Sequence, residues 1–317
     1  MIRTIAVRLS AFAVTLVAAS VLLFVAVNIL PGSAARAALG IDATPEAIAR
    51  FEAQHGLDRP WTEQYLRWVS RALEGDFGKS FQNGVAIGPD LAARVPVTLE
   101  LAALAFLFAN IMAIPIGIAG TGQRSATADG SVTLFATIVS SIPSFWLATL
   151  LVMLFTLQLH WLPPGGFTPL LTDPARNLQQ MVMPAISLGL VSSGLLIRVM
   201  RTAMLEVQSS DYMRMARAKG GSPGFIMRRH ALRNAAIPYL HVATVEFGFL
   251  VGGVVVIEDI FRLPGLGSLV LVGVINRDFP VLMAGALTIT LFVLISNLLV
   301  DLVSDYIDPR RMHSVSG

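Results

Sequence analysis

The sequence has no cysteine, so neither a disulfide bond nor a cysteine-based metal site can form in this chain. It is also poor in charge: 14% of its 317 residues are Asp, Glu, Lys or Arg, whereas soluble domains average about 25%. Hydrophobic residues make up 55%, and the mean hydropathy is +0.70. This composition excludes an ordinary soluble domain and predicts a protein that crosses a membrane several times.

Six apolar stretches could cross the membrane as helices. A helix needs roughly 20 apolar residues to cross about 30 Å of hydrocarbon. The predicted spans are residues 9–30, 101–122, 132–157, 181–196, 237–257 and 279–300. The predicted fold class is therefore all-α, a polytopic membrane protein with six transmembrane helices.

The positive charges predict the orientation of these spans, because Lys and Arg concentrate in short cytoplasmic loops. Arg3, Arg8 and Arg124 fall on the same side of the predicted bundle as Arg310 and Arg311. Eight more basic residues lie on that side, between positions 198 and 233. We therefore expect a multi-pass protein of the bacterial inner membrane with both termini in the cytoplasm.

The chain divides into three predicted regions. Residues 1–30 form a tail and the first span, 31–95 a periplasmic loop, and 96–317 a core of five spans. The loop is expected to be partly helical, since Thr44 can cap one helix and Gly56 can end it. A second, aromatic-rich amphipathic helix should follow. It either caps the bundle at the membrane surface or contacts an external partner.

One segment of this loop partly matches a phosphate-binding motif but lacks its first glycine. Gly78, Lys79 and Ser80 end like such a motif, but Leu73 stands where its first glycine is required. The five histidines are scattered, and no nucleophile–base set is visible. We expect no catalytic residue, no metal site and no cofactor bound by this chain.

The most informative segment is the polar, basic stretch 211–238 between two predicted spans. Ser209, Ser210 and Asp211 can start a helix, and Gly220 with Gly221 can end it by adopting left-handed backbone angles. The segment could lie against anionic lipid. Its small residues instead favour docking of another protein, because they let a second backbone approach closely.

A second helix should follow these glycines. Ser222 can cap it, and Pro223 occupies the favoured first position. Four residues are expected along one side of this helix: Ile226, His230, Asn234 and Ile237.

Part of this segment resembles a known loop. Ala216-Arg217-Ala218-Lys219-Gly220, followed by Ile237-Pro238, resembles the EAA loop of inner-membrane permeases of binding-protein-dependent ABC importers. The acid of that motif is absent here, because Ala216-Arg217-Ala218 stands where Glu-Ala-Ala would. The longer match from 211 to 234 is similar to the B-type permease of dipeptide, oligopeptide and nickel importers. Segments 64–81, 252–267 and 306–310 also resemble that family.

The resemblance implies a division of labour between subunits. This chain would pair with a second permease subunit above two ATPase subunits, which hold ATP and Mg, and a periplasmic binding protein would deliver the substrate. It would lie among membrane lipid, with no nucleic-acid partner and no enzymatic activity of its own. The resemblance also implies an ATPase-coupling helix that contains Asp211, Tyr212, Arg214, Ala216, Arg217, Ala218, Gly220 and Gly221.

Glu246 is the acidic residue inside a predicted span, and such residues usually face a partner or a cavity. It either makes a helix–helix contact or lines the translocation path and meets a cationic group, such as a peptide amino terminus. Glu258 and Asp259 are expected at the outer mouth in structural roles. The expected cargo is a di- or oligopeptide. An ion-coupled secondary transporter and a sensor or scaffold protein are the alternatives.

Overall fold

Helices make up the architecture of the chain. The computed structural model describes residues 2–29, 32–40, 42–121, 126–220 and 222–307. Across these ranges the β-pairing is a single isolated bridge between Lys79 and Ala86. The all-α prediction is therefore confirmed.

Five helices of the described residues are long and apolar enough to cross a membrane. They are α1 (Ile2–Ile29), α5 (Ile87–Ala119), α8 (Pro174–Ser209), α11 (Leu232–Gly253) with the turns that lead into it, and α14 (Phe279–Ile307). The predicted division between residues 95 and 96 falls inside α5. The predicted fourth span, at 181–196, is the middle of a helix of 36 residues.

The third predicted span, 132–157, is not one straight helix. It consists of α6 (Ala126–Ser141) and α7 (Ser144–Leu151), and α7 continues as a π-helix, Val152–Gln158. The two parts meet at 89°. Pro143 explains the break, because proline has no N–H to donate and disfavours helical angles at the residue before it, Ile142. The bundle has six spans if this bent pair is counted as one.

Shorter helices occupy the two ends of the bundle. The end that carries α2 (Ala34–Leu39), α3 (Pro45–His55), α4 (Trp61–Leu73), α12 (Val255–Ile260) and α13 (Leu266–Ile275) is called the α4 end here. The opposite end, called the α9 end, carries α9 (Asp211–Ala218) and α10 (Pro223–Ile226).

Small residues bring α5 and α8 close together at the centre of the bundle. A Cβ on Gly189 of α8 would collide with the carbonyl oxygen of Ala105 on α5, and one on Gly117 would lie 2.7 Å from Cβ of Met200. Such close backbone approach is how transmembrane helices gain packing contacts when lipid is as apolar as the side chains. Two buried apolar clusters, one toward each end, extend from this α5–α8 contact.

The loop at the α4 end is folded onto the spans. Thr44 caps α3 by accepting a hydrogen bond from the N–H of Ala47 at 3.3 Å, and Gly56 ends it at φ +68°, so the prediction for this helix is confirmed. The hydroxyls of Tyr65 on α4 and Ser20 on α1 lie 2.8 Å apart. One side of α4 therefore packs on the bundle.

Candidate functional site

Helix α9 begins directly at the end of α8. Ser210 is the single residue between them, and its carbonyl accepts the N–H groups of Met213 at 3.2 Å and Arg214 at 3.3 Å. The predicted side-chain caps do not form. The Ser209 and Ser210 hydroxyls donate back to carbonyls of α8, at Glu206 and Val207. A single residue in an extended conformation therefore joins α8 to α9.

The inner side of α9 packs against the same chain. Met213 is 1% exposed and belongs to the apolar cluster of the α9 end, where Ala216 is half-buried against it. Met204 of α8 and Ile226 of α10 complete this contact. The small side chain of Ala216 thus serves packing within this chain, and a larger residue there would disturb the attachment of α9.

The outer side of α9 presents cationic and apolar side chains. Tyr212, Arg214, Arg217 and Ala218 are exposed, and Arg214 makes an exposed ion pair with Asp211 at 3.3 Å. Met215 is 61% exposed. Helical spacing separates the two methionines: Met213 lies on the same side of α9 as Ala216, whereas Met215, two residues further on, lies on the opposite side.

Gly220 ends α9 in a conformation that requires glycine. Its φ is +79°, in the left-handed region, and its N–H donates to the carbonyl of Arg217 at 3.0 Å. A Cβ at this position would meet no described atom within 4 Å. The space beside Gly220 is open, so its backbone angle rather than crowding selects glycine. Gly221 lies outside the described residues.

The second arm starts at Pro223 as predicted, but the four residues expected along one side of it differ in burial. Asn234 and Ile237 are exposed, whereas Ile226, Ala231, Ala235 and Tyr239 are buried. The π-helical turn Met227–Ala231 explains the shift, because a π turn adds a residue and moves the buried position from i+4 to i+5.

Phe225 lies beside α9 at the surface of this arm. Its side chain is 58% exposed, and it borders a surface cleft with Gly224, Arg228 and Arg229. Sequence periodicity had not singled out this residue. Together, Tyr212, Met215 and Phe225 give the α9 end an apolar surface set among arginines, which suits a protein partner more than water alone.

Inside the bundle, Glu246 lies on the half-buried edge of α11. Phe249, Gly252 and Gly253 on the adjoining face are exposed, while Ala243 and Leu250 on the other side are buried. Its carboxylate forms no hydrogen bond or ion pair with the described residues. The side chain is thus close to a face that the isolated chain leaves uncovered.

The Gly78-Lys79-Ser80 segment has a structural use. The Ser80 hydroxyl and the Phe81 N–H donate to the buried carboxylate of Asp278, and the Gly78 N–H donates to Asp76 at 2.9 Å. The donors of Ser80 and Phe81 fasten the loop to Asp278, the residue before α14, whereas the Gly78 hydrogen bond stays within the loop. Among the described residues, no group of three or more His, Asp or Glu could hold a metal ion.

Family profiles match nearly the whole chain. The profile described as binding-protein-dependent transport system inner membrane component matches residues 113–313, and its N-terminal companion matches residues 1–102. The chain belongs to this family of ABC importer permeases. It is a transport subunit of an ATP-driven importer, and ATP hydrolysis takes place in separate subunits. This assignment excludes the two alternatives, an ion-coupled secondary transporter and a sensor or scaffold protein.

Two relatives cover the chain almost end to end. A protein of Brucella abortus (strain 2308), named for peptide transport system permease activity, is 38% identical over 92% of this chain and 93% of its own length. The glutathione transport system permease protein GsiC of Salmonella paratyphi A (strain ATCC 9150 / SARB42) is 36% identical over 95% of this chain and 96% of its own.

The solved MetNI methionine ABC transporter, in an inward-facing conformation, contains a chain with the same core fold. The TM-score is 0.56 at 19% identity, over 69% of this chain and 96% of that one. Membership of the family implies a bacterial inner-membrane permease that acts with another permease, ATPases and a binding protein.

Proposed function

We propose that the exposed side of α9 is the surface on which an ATPase subunit docks. The observation that carries this proposal is the pairing of a buried anchor, Met213, with an exposed apolar and basic side on a helix of two turns. The proposed ATPase-coupling segment comprises Asp211, Tyr212, Arg214, Ala216, Arg217, Ala218, Gly220 and Gly221. Its exposed side chains, together with Met215 and Phe225, form the docking surface. Lipid headgroups alone would have no use for the apolar part.

The attachment of α9 supplies the route from ATP to the spans. At one end α9 continues α8 through Ser210, and at the other the second arm runs into α11 without a loop. Closure of two ATPase subunits, which hold ATP and Mg, would displace α9 and therefore tilt α8 and α11. The result is alternating access, in which ATP and the loaded binding protein shift the populations of two states.

The proposed orientation follows from this role. The α9 end and both termini lie in the cytoplasm, and the α4 end faces the periplasm, where the binding protein arrives. The clustering of basic residues near α9 supports this orientation. Residues 1–30, 31–95 and 96–317 then correspond to the first span with its tail, a periplasmic loop and the permease core.

The proposed cargo is a small peptide. The relative from Brucella is named for peptide transport and GsiC for glutathione, which is itself a tripeptide-like solute. Glu246 supports this proposal, because a carboxylate beside an uncovered face of α11 can meet the cationic amino terminus of a peptide. The second permease subunit would cover that face and complete the path.

The docking surface is tested by Ala218→Asp, since Ala218 is exposed and its replacement should not disturb packing. Uptake and recovery of the ATPase with the purified permease should both be lost. Ala49→Asp is the matched control, because Ala49 is an exposed residue of α3 at the opposite end. Normal uptake and normal ATPase recovery with Ala218→Asp would contradict the proposal. Ala216→Asp and Gly220→Asp should also abolish uptake, although Ala216 has the added packing role.

A further inference from the structure

The α4 end holds a cavity that the transport cycle proposed above does not use. Its volume is about 470 Å³, and it lies between α4, the turn at Gly56, the segment around Phe77 and the adjoining ends of α1 and α14. Because α1 and α14 are spans, their ends at this cavity lie near the membrane surface. The position alone therefore places the cavity at the depth of lipid headgroups.

The floor of the cavity is apolar and aromatic. Phe24 and Val27 of α1 and Phe279 and Met283 of α14 form its base, and Trp68 of α4 borders it. The indole N–H of Trp68 is buried and finds no acceptor among the described residues. Buried donors are normally satisfied, so a ligand with an acceptor atom near Trp68 would complete this wall.

The rim of the cavity is cationic, with Arg59, Arg67, Arg71 and Lys79 lining it. Arg59 and Arg67 converge beside Gly56, where a Cβ would lie 3.5 Å from atoms of both. These two arginines share one carboxylate, Glu63, which does not line the cavity.

Among the described residues that line the rim, one carries a carboxylate. Asp76 pairs with Arg71 at 2.7 Å. The hydrogen bond from Arg71 holds the pKa of the Asp76 carboxyl below its usual value, and that from Arg59 does the same for the pKa of Glu63. Both carboxylates are thus ionised at neutral pH. The four cationic side chains of the rim are thus balanced by only two carboxylates, Asp76 on the rim and Glu63 behind it. The rim therefore keeps a net positive charge.

We propose that this cavity binds one anionic phospholipid from the adjoining leaflet, with the phosphate at the arginine rim and the start of an acyl chain on the Phe24–Phe279 floor. A soluble anion would leave the apolar floor unused, and a neutral apolar molecule would leave the cationic rim unused. Clustered Lys and Arg near a membrane surface attract anionic headgroups, and the apolar floor supplies a surface for the acyl chain. The lipid would join α4 to α1 and α14, and so steady the loop that faces the arriving binding protein.

The test measures lipid binding to the complete transporter complex, purified and delipidated, by native mass spectrometry. The probes are phosphatidylglycerol, phosphatidylcholine and inorganic phosphate. The variant is Arg67→Gln combined with Lys79→Gln, which leaves Arg59 to pair with Glu63 and Arg71 to pair with Asp76. The matched control combines Arg36→Gln and Arg50→Gln, two exposed residues of the same segment that do not line the cavity.

The wild type should bind one phosphatidylglycerol molecule more tightly than phosphatidylcholine. The Arg67/Lys79 variant should weaken that binding roughly 10- to 30-fold, as expected for two cations near an anionic lipid, while the control stays within about twofold. Equal binding of both lipids, or equal loss in variant and control, would overturn the proposal. Full displacement of the lipid by millimolar phosphate would instead identify a soluble-anion site. ATPase recovery and uptake test the docking proposal separately, since neither reports lipid occupancy.

Discussion

Two buried carboxylates hold loops in place at the α4 end. Asp278 is 4% exposed and accepts from Ser80 and Phe81, while Glu258 is fully buried and accepts from the Thr98 hydroxyl at 2.6 Å and the Ser268 N–H at 2.9 Å. Each carboxylate joins segments that are far apart in sequence. The structural role expected for Glu258 therefore has a physical basis, because it ties α12 to α5 and to the start of α13.

Removal of the Ser80 hydroxyl should loosen the loop. In Ser80→Ala, the Asp278 carboxylate loses one of its two donors while it stays buried, which should cost about 1–3 kcal/mol. The midpoint of thermal inactivation should fall, and trypsin should cut the 31–95 loop faster. Ser70→Ala is the control, since that exposed hydroxyl donates only to its own helix. Similar behaviour of the two variants would contradict this role of Asp278.

Glu246 permits a functional test at a single residue. If its carboxylate meets the amino terminus of a peptide, Glu246→Gln should slow the uptake of peptides with a free amino terminus more than that of N-acetylated ones. The shape of the side chain is kept, so packing should not change. Competition uptake assays with paired peptides measure the ratio. Equal slowing of both peptide classes would assign Glu246 to a helix–helix contact instead.

Among the helices, the lead-in to α11 shows how register decides which side chains are buried. The π turn at Met227–Ala231 brings Tyr239 inward, where its hydroxyl donates to the Asn110 amide oxygen at 2.6 Å. This bond ties the arm that follows α9 to α5. Interhelical hydrogen bonds within membranes contribute about 0.6 kcal/mol on average, so orientation of the arm is its larger effect.

The end of α9 depends on one backbone angle. Gly220→Asn should keep uptake near that of the wild type, because Asn tolerates the left-handed region. Gly220→Val should lose it, since a β-branched residue at φ +79° is strained by roughly 1–2 kcal/mol. Both variants add bulk to the same open space. If both fail equally in uptake assays, close approach of the ATPase rather than backbone angle makes glycine necessary.

The pattern of apolar residues was sufficient to predict the helical class and the approximate spans, and the glycine at position 220 predicted the end of α9. It could not predict the π turn, because no residue type marks the insertion of one extra residue per turn. The use of Ser80 was hidden for another reason. Its partner, Asp278, lies 198 positions away, and a contact across that separation exists only once the bundle is assembled. Met213 and Met215 are the same residue type, and one is buried and the other exposed because they lie on different sides of α9.

At the scale of the whole molecule, the two ends of the bundle have different surfaces. The α9 end presents exposed arginines with Tyr212, Met215 and Phe225, and the α4 end presents a folded loop with its own cavity. The complete absence of cysteine makes this difference accessible to experiment, because any cysteine placed in the chain is its only thiol.

Single cysteines should report the orientation. Ser70→Cys, on the exposed side of α4, should react with a membrane-impermeant maleimide in spheroplasts. Ser209→Cys, at the end of α8, should react only in inside-out vesicles. Both positions are exposed, so burial cannot explain a difference. The reverse labelling pattern would place the α9 end outside the cell and remove the physical basis for an ATPase docking there.

The continuity of α8 into α9 also sets where this chain can change its length. Helix α8 spans 36 residues, about 54 Å at 1.5 Å per residue, and a single residue separates it from α9. Insertion of one residue near Leu205 would rotate the rest of α8, and α9 with it, by about 100°. Met213 would then leave its buried apolar cluster, and the exposed arginines would no longer face the ATPase subunit. The segment 159–173 before α8 is held by contacts of its own: the Gly166 N–H donates to the carbonyl of Phe261 at 2.8 Å, and a Cβ on Gly165 would collide with that carbonyl oxygen. The residue count of α8 is therefore fixed at the α9 end by helical register, and at the other end by the contacts of the preceding segment with Phe261.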